Sequence, residues 1–340
     1  MFFLDPALIP KFYEAYKNDP VMQRVDAFLC YDPPAICQLY EPFNKSMIII
    51  APNRYYITRE PKDRWKTWNE NLLNYASDPR NVLAANNRYD VELIRYFTGL
   101  VVEWIPSFAG YTRTSHKPSR QGFLLANRRA DEEFQSFFLK QFQEACKSIN
   151  SSLPVPELIR IKDRYPRYEY SDLAAHQGIV HLPYQVSTMS IFEQYRMNIP
   201  LFFPSQELLL QWTIEHWVIR ERTLPPMVRD PRSDTLPPHP SQRHVPSPND
   251  NYNASAIKYW LQFADYYTLP HITYFNSTKH LAVILQTQTV DELNAISWKM
   301  KNFNEKVKKE VLVKWTRILQ TVAKFSQNHP HINCSFSNKV

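Results

Sequence analysis

The stretch from His176 to Ser205 restricts the fold more than any other part of the chain. Gly178 to Leu182 is an apolar run too short for a helix and is bounded by a turn at Pro183-Tyr184, so it predicts a strand. The polar run Gln185-Val186-Ser187-Thr188-Met189-Ser190 then leads into a helix that carries Glu193 and ends near Asn198. Ile199 to Phe203 is the next strand, closed by Pro204-Ser205. Strand, polar turn, short helix and strand make one βαβ unit, which requires a parallel sheet. In open parallel sheets, ligands bind at the carboxyl ends of the strands, beside helix N-termini. Free N–H groups and a partial positive charge suit such a terminus to a phosphate. In the following turn, Glu193 is placed to accept hydrogen bonds from a pair of hydroxyls.

The same alternation runs through the rest of the chain. Residues 7–24 read as a helix, Val25 to Tyr31 as a buried strand with Asp32 at its carboxyl end, and residues 35–40 as a short helix. Met47 to Ala51, Asn81 to Ala85 and Val101 to Pro106 are further strands, separated by helices over 62–75 and 90–98, the latter closed by Gly99. Residues 107–121 are polar and basic and read as a linker between domains. A second series opens with the strand Gly122 to Ala126, followed at once by Arg128 and Arg129, a helix over 131–148 and the strand Leu158 to Lys162. Beyond an aromatic helix over 206–220, residues 223–250 hold eight prolines among polar side chains and read as a long loop dispensable for folding. Residues 290–326 carry apolar side chains at helical spacing throughout and predict one long helix with a packed face. Strands alternating with helices, each strand ending in polar residues, specify an α/β fold.

The central stretch resembles the donor-binding segment of GT-B glycosyltransferases, in particular the retaining group that includes glycogen and sucrose synthases. In that pattern a Glu and a Gly-Phe-Gly turn precede a second Glu, which is followed after six residues by Pro. Glu193 and Pro200 match the second Glu and the Pro. Gln185 stands where the first Glu would be, and Val186-Ser187-Thr188 replaces the Gly-Phe-Gly turn. The resemblance implies two Rossmann-like domains and metal-independent transfer of a sugar from a nucleotide-sugar donor to a glycan, protein or lipid acceptor. Arg128, Arg129, Gln185, Ser187, Thr188, Ser190 and Glu193 would form the donor site, with the arginines on the diphosphate and Glu193 on the ribose. Asp32 is the candidate catalytic base or acceptor contact, and capping of the following helix explains it equally. The implied domains are an acceptor-side domain over 1–117, lacking its first strands, and a donor domain over 118–289. The helix in 290–340 would pack back on the first domain. The loss of the first Glu and the incomplete first domain also fit a second reading, a decayed GT-B fold that binds without catalysis.

Composition narrows the alternatives. Four glycines in 340 residues leave neither G-x-G-x-x-G nor G-x-x-x-x-G-K, so a glycine-rich phosphate loop is excluded. A net charge of +7 suits an anionic ligand without the concentrated basic patch of a nucleic-acid binder. No Asp-x-Asp triplet occurs, which argues against a metal-dependent single-sheet transferase and leaves no metal ligands or cofactor to assign. Cys30, Cys37, Cys146 and Cys334 form neither a zinc pattern nor a disulfide framework. No apolar run reaches the length of a membrane span and the N-terminus lacks the pattern of a signal peptide, whereas Asn44, Asn150, Asn253, Asn276 and Asn333 begin Asn-x-Ser/Thr triplets. A cytoplasmic chain and a piece of a longer Golgi form both agree with this. His176 and His181 flank a strand without a metal or catalytic motif and read as structural, and Asn86-Asn87-Arg88 either lines a cleft or caps a helix.

Overall fold

The computed structural model describes residues 4–52, 55, 62–126, 132–149, 155–219 and 236–326. The chain forms two compact units. The first takes Met1–Pro106, Arg232–Val245 and Lys309–Val340, and the second takes Ser107–Pro231 and Pro246–Lys308. Both are α/β units with wholly parallel sheets.

In the first unit, β1 (Ala27–Cys30), β2 (Ser46–Ala51), β3 (Val82–Ala85) and β4 (Glu103–Trp104) lie side by side in chain order. Each pair is parallel, with Leu29 opposite Ile48, Ile50 opposite Ala84, and Ala85 opposite Trp104. All six residues of β2 are buried, because a central parallel strand is covered on both faces, and after Ser46 its sequence is apolar from Met47 to Ala51. Ile48, Ile50, Ala84 and Ile105 make one core with Ile318 and Val322 from the helix Val290–Phe325. Burying each of the two helix side chains contributes about 1.5–3 kcal/mol. Beside this core, Arg317 and Lys314 both reach Glu103, and Lys314 also donates to the Trp104 carbonyl.

Several sequence boundaries shift for local reasons. The helix expected over 7–24 is two, Leu8–Tyr16 and Pro20–Arg24. Pro20 cannot continue the first helix, and Asp19 caps the second by accepting from the N–H groups of Val21 and Met22. The strand expected over 101–106 pairs only at Glu103 and Trp104. At the end of the helix Arg88–Thr98, Gly99 has φ of 76° and donates its N–H to the Arg95 carbonyl at 2.8 Å. This is the left-handed closure that its position suggested.

The second unit orders its strands β6-β5-β7-β8-β9, where β5 is Phe123–Ala126, β6 Leu158–Arg160, β7 Ile179–His181, β8 Leu201–Pro204 and β9 Thr273–Phe275. The fifth strand comes from beyond the βαβ series read in the sequence. The chain leaves β5 for one side of the sheet and returns on the other side at β7. The strand order therefore reverses between β5 and β7, the kind of position at whose carboxyl ends open parallel sheets bind ligands. After Arg160 the chain turns into the short helix Ile161–Arg164 instead of extending β6 to Lys162.

Two loop readings are corrected. Residues 107–121 are not a free linker but a strap on the second unit. His116 N–H donates to Met197 O at 2.6 Å, Lys117 N–H to Ala174 O at 3.0 Å, and Ser119 and Arg120 N–H both to Ala175 O at 2.9 Å. Of the proline-rich segment, residues 223–235 lie outside the described residues, whereas 236–250 are packed. His239 N–H donates to Tyr96 O at 2.8 Å, Gln242 and Asn249 are buried, and Pro246 O accepts from the Trp260 indole at 2.8 Å. Proline loses little chain entropy on ordering, so a few aromatic and backbone partners suffice to hold such a segment. Among the described residues, no helix is long and apolar enough to cross a membrane.

The closest of these packings gives a test. A Cβ on Gly99 would lie 2.7 Å from the His239 ring, on a backbone already at positive φ. Gly99→Ala should therefore destabilise the chain by about 1–3 kcal/mol. Denaturant unfolding will show this as a lower midpoint at an unchanged slope.

Candidate functional site

The carboxyl end of β7 builds the candidate site. Leu182 N–H donates to Ala126 O at 3.0 Å, so the chain stays in the sheet until just before Pro183. The loop over 183–188 then crosses to the helix Met189–Arg196. Its middle is pinned from outside, because Asp265, opening the short helix Asp265–Thr268, donates its N–H to Val186 O at 3.0 Å. Ser187 is buried, Gln185, Thr188 and Ser190 are half-buried, and Met189 is exposed.

Thr188 is the N-cap of this helix, in extended conformation with φ of −146°, and its side chain makes no capping bond. Its hydroxyl instead meets the Ser190 hydroxyl at 3.0 Å. Two hydroxyls thus stand beside the first turn, in which the Ile191 N–H donates to Thr188 O at 3.2 Å. The helix dipole favours negative charge at this end.

Glu193 lies one turn further on and is half-buried. Its Oε1 accepts from the Tyr111 hydroxyl at 2.6 Å and from the Tyr170 hydroxyl at 2.8 Å. The two rings are 6.2 Å apart. Burial, and then the hydrogen bond to Glu193, push the Tyr170 phenol up to about 12, and the same causes raise Tyr111. Burial first and the Glu193 charge second also raise Tyr168. Oε2 of Glu193 takes no hydrogen bond from the described residues.

Beneath the loop lies a buried stack. The His181 ring lies flat on Phe203, with centroids 4.3 Å apart and planes at 7°, and Phe203 lies flat on Tyr266 at 4.8 Å and 10°. His181 Nε2 is 2.7 Å from Gln194 Oε1, so Nε2 carries the proton and ties strand to helix. Burial lowers the His181 pKa to about 4, with the Gln194 bond opposing the shift. His176 sits before β7, with Nδ1 3.4 Å from Gly122 O and Nε2 2.8 Å from the Tyr165 hydroxyl. Both histidines are structural in geometry.

The remaining sequence candidates are dispersed. Gln185, Ser187, Thr188, Ser190 and Glu193 share one loop and helix, whereas Arg128 and Arg129 lie outside the described residues. Asp32 belongs to the first unit, is exposed at the end of the edge strand β1, and makes no hydrogen bond or ion pair with the described residues. It does not cap the following helical turn, whose N-cap is Pro33. Asn87 is a cap. Its Oδ1 accepts from Asp90 N–H at 2.7 Å, and its amide donates to Pro52 O at 3.0 Å and to Asp90 Oδ2 at 2.9 Å. Asn86 donates to the Tyr31 hydroxyl at 3.1 Å, and the Arg88 guanidinium lies 4.3 Å over the Trp104 ring.

A groove of about 530 Å³ lies elsewhere in the second unit, lined by Phe137, Gln141, Trp212, Glu215 and Thr278 among others, and includes none of the sequence candidates.

Tyr111 and Tyr170 were invisible to sequence reasoning. They lie 82 and 23 residues from Glu193, and no periodicity links them to it. Compared with protein-family models, curated proteins and solved structures, the chain matches none.

The buried histidine makes stability depend on pH. The unfolded His181 titrates near 6.5 and the folded one near 4, so the unfolded state takes up the proton first. Its contribution is intact above about pH 6.5, falls as the pH drops towards 4, and by then has cost about 3 kcal/mol. Unfolding midpoints between pH 7 and pH 4 should fall more steeply for the wild type than for His181→Gln.

Proposed function

We propose that the chain is a GT-B-like glycosyltransferase whose second unit binds a nucleotide-sugar donor at the loop 183–188 and the helix Met189–Arg196. One observation carries this reading. A helix N-terminus whose N-cap, Thr188, makes no side-chain capping bond stands at the carboxyl end of β7, beside the reversal of strand order, with a carboxylate one turn below. Phosphates and hydroxyls of a nucleoside diphosphate have complementary requirements at about that spacing.

In the proposed reaction, the bond between the sugar and the diphosphate breaks while an acceptor hydroxyl bonds to the sugar, and the hydroxyl's proton passes to the departing diphosphate. Negative charge grows on the departing diphosphate, and the first-turn N–H groups with the hydroxyls of Thr188 and Ser190 would stabilise it where it develops. Arg128 or Arg129 would add positive charge on the same group, and Glu193 would hold the ribose. Gln185 can donate and accept hydrogen bonds to the sugar but cannot supply the negative charge of a carboxylate.

Binding without turnover is the second reading, and the neutral side chain at Gln185 favours it. Incubating the chain with nucleotide sugars and following release of the nucleoside diphosphate separates the two. Turnover supports the transferase, and saturable binding without release supports the binding module. In either case Glu193→Gln should weaken nucleoside diphosphate binding about tenfold by calorimetric titration, since a charge-assisted pair of bonds is lost. An unchanged affinity would remove Glu193 from the site.

A further inference from the structure

Resting on the donor-site reading, we propose that Tyr111 and Tyr170 are positioning residues that aim the Glu193 carboxylate at the ribose hydroxyls. Two phenols donate to the same oxygen, Oε1, at 2.6 and 2.8 Å. That oxygen is saturated by neutral donors, and the side chain is held from two directions. Tyr111 comes from the short 3₁₀ turn Gly110–Thr112 in the strap, and Tyr170 opens the helix Tyr170–Ala174. Neither element adjoins Glu193 in sequence, so the convergence is a product of the fold.

The consequence lies in the second oxygen. Oε2 has no donor among the described residues, while the carboxylate is only half-buried. A carboxylate accepts hydrogen bonds at both oxygens, so the arrangement leaves one fixed acceptor facing whatever donor arrives. An unrestrained Glu on a helix surface would lose rotamer entropy when it bound a ligand. Here the two phenols have already imposed that order. Vicinal hydroxyls match the remaining capacity, because both can donate to one oxygen with two lone pairs. A phosphate cannot, since it would bring like charge against the carboxylate.

The strap is held independently of these contacts. His116, Lys117, Ser119 and Arg120 bond to the second unit through their backbone N–H groups. Removing a phenol hydroxyl should therefore leave the strap in place and change only the aim of the carboxylate.

The test titrates a panel of ribonucleoside diphosphates, and their 2′,3′-dideoxy counterparts, into the full chain and into Tyr111→Phe, Tyr170→Phe and the double variant. The wild type should prefer the ribonucleotide. Each Phe substitution should weaken ribonucleotide binding about fivefold, and the double variant more, with dideoxy binding unchanged. Thermal melting of each variant reports whether the fold is intact. Equal ribonucleotide affinity in wild type and variants would overturn the positioning role while leaving the donor site standing. Parallel loss of both ligands would show the tyrosines to be structural supports and would also overturn it. Failure of the wild type to bind any nucleoside diphosphate would overturn the donor-site reading, and this inference with it.

Discussion

Every strand pair among the described residues is parallel, and that constraint governs the rest. A parallel pair cannot be closed by a hairpin, so each connection must cross a face of the sheet and cover it. The central strands then lose contact with water on both sides, as β2 does with its six buried residues. Ligand chemistry is then concentrated at the ends of the strands. The loop after β7 is such an end, and the helix that follows it opens at Thr188 without a side-chain capping bond.

Buried polar groups at the strand ends divide into those the fold consumes and those it leaves available. Asn87, Asp90 and Asn86 are fully engaged in capping one helix and tethering one loop. His181 is consumed by its stack on Phe203 and its bond to Gln194. Glu193 differs, because one of its oxygens is engaged and the other is not. An incompletely satisfied carboxylate at a strand end is a better functional candidate than a completely satisfied histidine, whatever the usual chemistry of the two side chains.

Much of this organisation could be read along the chain. Strand β2 and the βαβ unit from β7 to β8 were legible because a strand buried on both faces is largely apolar and is bounded by Pro, Asn or Ser. The cap at Gly99 was legible because few other residues reach positive φ without strain. The strap was not, since backbone hydrogen bonds such as that of Lys117 to Ala174 leave no side-chain signature. Residues 236–250 misled for a related reason, as prolines and polar side chains mark a loop without saying whether something waits to pack against it.

What the sequence by itself determined is the local alternation: apolar runs long enough only for strands, helices with one apolar face, and a polar turn before Glu193. These follow from short-range rules, because the 2.0 and 3.6 residue periods are set by backbone geometry. Only the tertiary structure decided the strand order β6-β5-β7-β8-β9, the recruitment of Thr273–Phe275 as the fifth strand, and the meeting of Tyr111 and Tyr170 on one oxygen of Glu193. Contacts between residues 82 positions apart depend on how elements pack, and hydrophobic burial, which drives packing, is indifferent to which phenol ends beside which carboxylate.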